Sequence, residues 1–110
     1  MSIFEKIRFQ QEKEFASILA ARLAKEISPE LMQNKRKLLS VNKITRLLEK
    51  SFSSANEYQK INQMGWLKRT VFANAFQWEL KNLNFPNDFV TMATEGLIIQ
   101  LMKPSKPSGD

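Results

Sequence analysis

Neither cysteine nor histidine occurs anywhere in the chain. Without cysteine there can be no disulfide, no thiolate metal ligand and no cysteine nucleophile. Without histidine the chain lacks the commonest zinc ligand, the usual general base near neutral pH and every Ser-His-Asp arrangement. An enzyme built on this sequence would have to run on carboxylates, lysines or the single tyrosine, Tyr58. Glycine is nearly as scarce, with Gly65, Gly96 and Gly109 alone, so no glycine-rich phosphate loop can form. The acids are too dispersed for a calcium or magnesium site. Glu79 and Asp88 could formally be paired for glycoside chemistry, but nothing beyond chance spacing recommends them. No run of about 18 apolar residues exists to span a membrane. The opening Met1-Ser2-Ile3-Phe4-Glu5-Lys6 brings polar and acidic residues too early for a secretory signal. The expectation is a protein that is not an enzyme and takes no cofactor or metal. Its lack of cysteine points to a bacterial cytoplasm.

What is present fits one domain. The chain has 110 residues, 43% of them hydrophobic and 10% aromatic, ordinary values for a soluble globular fold. A chain of this length can bury roughly two-thirds of its unfolded surface and so can fold alone.

Punctuation and periodicity divide it into helices. Ser2 and Glu5 have the form of a capping box. Over 11–27, Phe15, Ile18, Leu19, Leu23 and Ile27 recur at helical spacing, with Ala16, Ala20, Ala21 and Ala24 favouring the helix intrinsically. Ser28-Pro29-Glu30 is a restart signal: a capping serine, proline at the first helical position and an acid in the first turn. It predicts a short helix to about residues 34–37. Ser40 is placed to cap the next helix, whose stripe runs Val41, Ile44, Leu47, Leu48, Phe52, Ala55, Tyr58. Gly65 marks a turn. Over 66–83 two apolar faces appear, Leu67, Val71, Ala75 and Trp78 on one and Phe72, Phe76 and Leu83 on the other, with Thr70, Asn74, Gln77 and Lys81 as a narrow polar edge. Asn82 to Asp88 reads as a turn around Pro86, with Asn87 or Asp88 capping a last helix to about Met102. Ala93 and Gly96 on that helix permit another helix to approach closely. The run 97–102 also fits a strand, but no second strand exists to pair with it. Residues 1–102 are thus expected to form a single all-α domain, a bundle of four or five helices, and 103–110 a disordered tail.

Charge is concentrated. Residues 35–50 hold six basic residues, Lys35, Arg36, Lys37, Lys43, Arg46 and Lys50, against Glu49, which makes +5 of the net +6. At about 100° per residue Lys43, Arg46 and Lys50 fall within roughly 60° of one another, a basic ridge beside an apolar stripe. Such a ridge attracts an anionic partner, whether phosphate of nucleic acid, an anionic lipid surface or an acidic protein face, and an equally simple reading makes it solvated surface. Lys68 and Arg69, next to Trp66, are the second place where cations meet an aromatic ring. Asn42 and Lys43 could read bases from the start of a helix. The apolar stripe on that helix and the glycine-free connector before it argue against a helix-turn-helix.

Eight phenylalanines, two tryptophans and five methionines exceed what a minimal bundle needs. The excess is explained by a homodimer, with Phe72, Phe76 and Trp66 as interface candidates. The expected function is a self-associating interaction module or adaptor with a basic ridge. A small nucleic-acid-binding protein making mainly phosphate contacts is the alternative.

Overall fold

A computed structural model describes residues 9–34 and 41–102, and these fold into five helices with no strand among the described residues. They are α1 (Gln10–Glu26), α2 (Pro29–Asn34), α3 (Val41–Asn62), α4 (Trp66–Asn82) and α5 (Asn87–Met102). The run 97–102 lies wholly in α5, so the strand reading is excluded. The Ser2 capping box, Lys35 to Ser40 and the tail from Lys103 lie outside the described residues.

The local signals act as their chemistry dictates. Ser28 Oγ accepts the Leu31 amide at 3.3 Å, capping α2 behind Pro29. α4 ends in a Schellman turn: the Asn84 amide donates to Lys81 O and the Phe85 amide to Leu80 O, at 3.0 and 3.2 Å. Asn84 takes the left-handed conformation this requires, φ 70°. Phe85, buried just beyond, stacks on Phe89 at 4.9 Å and fixes the entry into α5. There the helix begins at Asn87, one residue earlier than a cap at Asn87 would place it and two earlier than a cap at Asp88. Pro86 O accepts the Val90 amide, and Asp88 Oδ1 accepts the Phe89 amide within the first turn. The turn before α4 falls where Gly65 marks it, between Asn62 and Trp66. Gly65 is extended at φ −78° and ψ −177°, which any residue adopts. The left-handed position is Gln63, φ 49°, where the Met64 amide reaches back to Gln59 O.

The four long helices close into a ring in which α1 packs on α4, α4 on α5, α5 on α3 and α3 on α1. Contacts between named residues fix their directions. Gln11 donates to Asn62 Oδ1 at 2.9 Å, so the start of α1 meets the end of α3 and the two run antiparallel. Arg69 donates to Leu101 O at 3.0 Å, so α4 and α5 are antiparallel as well. Gln59 also donates to Leu101 O, and the ring of Phe52 sits over Gly96, which makes α3 and α5 parallel. Phe15 stacks on Phe72 near the start of α4, and Gln33, just past α1, donates to Asn84 O, just past α4; α1 and α4 are parallel.

The core is the inner stripe of each helix: Ala16, Leu19, Ala20 and Leu23 of α1, Leu48 and Ala55 of α3, Phe72, Phe76 and Leu80 of α4, Val90, Ala93, Leu97 and Leu101 of α5. Met32 of α2 is buried against one end. Gly96 serves the close approach its sequence position suggested, since a Cβ there would lie 2.8 Å from Phe52 Cζ. Val41 departs from its stripe and stays exposed at the mouth of a cleft between α3 and α5.

Candidate functional site

A groove of about 630 Å³ lies between the antiparallel α4 and α5. Its apolar wall is Ile98, Leu101 and Met102 of α5, with Ala73 of α4 and Trp66 at the mouth. The polar edge read from the sequence, Thr70, Asn74 and Gln77, forms much of the opposite wall. Among the described residues Arg69 is the one charged residue lining it. Its guanidinium and the Gln59 amide both donate to Leu101 O, tying the last turn of α5 to α3 and α4. The hydroxyl of Thr94, in the same lining, is buried with no hydrogen-bond partner.

Trp66 is 73% exposed, and Ile98 and Met102 are also exposed. Three large apolar side chains thus meet solvent around one groove. Phe72 and Phe76, expected at an interface, are each 0% exposed. They belong to the face of α4 that turns into this chain's own core and cannot meet a partner. The other apolar face of α4 is the partly open one: Leu67 and Trp78 are exposed, and Lys81 Nζ lies 5.4 Å from the centre of the Trp78 ring.

The basic residues divide between two ends of the molecule. Lys43, Arg46 and Lys50 are exposed on the outer side of the first half of α3, as the helical spacing predicts. Lys35, Arg36 and Lys37 lie outside the described residues. Lys68 and Arg69 do not join the ridge. Arg69 meets Leu101 beside Gln59, near the opposite end of α3, and both cations are half-buried.

Two features escaped the sequence reading. Glu12 is 1% exposed: Oε2 accepts from the Tyr58 hydroxyl at 3.3 Å, and Oε1 has no partner. Tyr58 is stacked on Phe15 at 4.2 Å. Burial first, and the Glu12 charge second, push the Tyr58 phenol up from 10.0 to about 12. The spacing 12, 16, 19, 23, 27 puts Glu12 on the buried face of α1, a signal masked by its polar neighbours. The second feature is Arg22 and Lys25. They line a cleft of about 160 Å³ between α1 and α3 that Lys50 also lines. Because residues 1–34 hold equal numbers of acids and bases, a count of charge along the chain gives these two cations no weight.

Among the described residues no group of three acids could hold a metal ion, and no helix is long and apolar enough to cross a membrane. No protein-family model, curated protein or solved structure matches the chain.

Proposed function

We propose that the protein is a non-enzymatic helical interaction module of the cytoplasm that self-associates through the α4/α5 groove, with the basic ridge on α3 left to meet an anionic partner. The observation that carries this reading is the exposure of Trp66, Ile98 and Met102 around a single groove. Charge complementarity favours a second copy as the occupant. α5 carries Asp88 and Glu95 and no basic residue, whereas the first turn of α4 carries Lys68 and Arg69 and no acid. Laying α5 of one copy along the groove of the other in a two-fold arrangement brings unlike charges together while covering apolar surface. The half-buried Arg69 contributes direction to such an interface more than affinity.

Sedimentation equilibrium tests this. At about 100 μM chain the mass should approach twice 12.8 kDa, and dilution should lower it by mass action. A mass of one chain throughout removes the self-association reading. The ridge would then be the molecule's remaining candidate surface.

A further inference from the structure

The anionic partner of that reading has a chemistry that the structure narrows. We infer that the outer face formed by α1 and the first half of α3 binds the phosphate backbone of nucleic acid, without reading sequence. This rests on the anionic-partner half of the proposed function and not on self-association.

Among the described residues the cleft between α1 and α3 is lined by Arg22 and Lys25 from one helix and Lys50 from the other, with the half-buried Ser54 and the buried Ser51 beside them and Glu26 as the single acid. Three cations from two neighbouring helices therefore surround one cleft. Lys50 is also the last member of the α3 ridge, so the cleft and the ridge form one continuous surface. From Lys43 to Lys50 the helix rises about 10 Å, which is the axial span of about three phosphates on one strand at ~3.4 Å each. Arginine, lysine and serine side chains are the groups that contact phosphate oxygens.

Readout of bases is a different matter. The exposed aromatic side chains of the described residues are Trp66 and Trp78, both on α4. The aromatic residues of α1 and α3, Phe15, Phe52 and Tyr58, are packed against the core. The described residues of this face offer no ring on which a base can stack, so their affinity has to come from counterion release. An acidic peptide could use the same cations, and competition by polyglutamate separates the two.

The test is fluorescence anisotropy with a labelled 20-base-pair DNA duplex of scrambled sequence, using the full chain over about 50 to 200 mM salt. Five phosphate contacts predict that log K falls with log salt at a slope of about −4 to −5, a loss of several hundred-fold over that range. The informative variant is Arg22→Glu/Lys25→Glu on α1, which leaves the ridge intact. It should weaken binding at 50 mM salt at least tenfold, flatten the slope by about 2, and act alike on a second duplex of unrelated sequence. Lys43→Glu/Arg46→Glu should do the same from the α3 side, and both variants should retain the circular dichroism of the native chain. Should either unfold, the glutamine versions at the same positions give the reading. Three results would overturn the inference: no salt-sensitive binding by the native chain, affinity unchanged in the α1 variant, or displacement of the duplex by polyglutamate more readily than by unlabelled DNA, which would assign the face to an acidic protein. Sedimentation of the same samples reports self-association separately, so the two readings fail independently.

Discussion

Tyr58 is the only tyrosine in the chain, so the ionisation of its phenol can be followed directly by the rise in absorbance near 295 nm. The structure places that phenol against the buried Glu12 carboxylate and stacks its ring on Phe15. Burial and the neighbouring negative charge both oppose forming phenolate, and its pKa is pushed up to about 12. The folded state therefore holds this proton more tightly than the unfolded chain, in which the phenol titrates near 10. The resulting stability is fully present below pH 10 and is lost as the pH rises from 10 toward 12. Two pKa units correspond to at most about 2.7 kcal/mol; because the phenol is partly reached by solvent, a contribution on the order of 1 kcal/mol is expected. Urea denaturation of the native chain at pH 8 and pH 11 should show this loss. Tyr58→Phe should abolish the Tyr58 part of the difference while lowering stability at pH 8 by about 1–3 kcal/mol, since it leaves Glu12 Oε2 buried without its donor. A phenol titrating at 10 in the folded protein would refute the placement of Tyr58 against Glu12.

Other substitutions probe the fold. Gln63→Gly relieves the left-handed C-cap of α3 and should stabilise the protein by about 0.5–1 kcal/mol, read from the urea midpoint. Gly96→Ala drives a methyl to 2.8 Å from the Phe52 ring, and an overpacking penalty of about 1–3 kcal/mol outweighs the ~1 kcal/mol gain in helix propensity. The melting temperature should fall by several degrees, and adding Phe52→Leu should recover part of the loss. Phe76→Ala empties a fully buried site and should cost about 3–5 kcal/mol, leaving the chain largely unfolded in mild urea.

The helices were legible wherever a residue's own chemistry sets the backbone. Ser28-Pro29 starts α2, and the asparagines around Pro86 turn the chain between α4 and α5. Gly65 marks the turn between α3 and α4, but glycine permits a left-handed conformation without requiring one, and the left-handed residue of that turn is Gln63. Periodicity could show that α4 has two apolar faces. It could not say which one the other helices cover, because the ring order α1, α4, α5, α3 is set by pairings between distant residues. That is why Phe72 and Phe76 read as interface candidates and lie in the core, whereas Trp66 is exposed on the rim of a groove. The ridge at Lys43, Arg46 and Lys50 was legible from helical spacing. Arg22 and Lys25 were not, since only the packing of α1 against α3 brings them beside Lys50.

Self-association through the α4/α5 groove requires one exposed tryptophan and not the other. Trp66 and Trp78 are both exposed on α4, but only Trp66 borders the groove. Sedimentation equilibrium of Trp66→Glu and Trp78→Glu beside the native chain, each checked for native helicity, separates them. Trp66→Glu should be monomeric at concentrations where the native chain and Trp78→Glu are dimeric. Equal dimerisation by all three, or dissociation by Trp78→Glu alone, would contradict it.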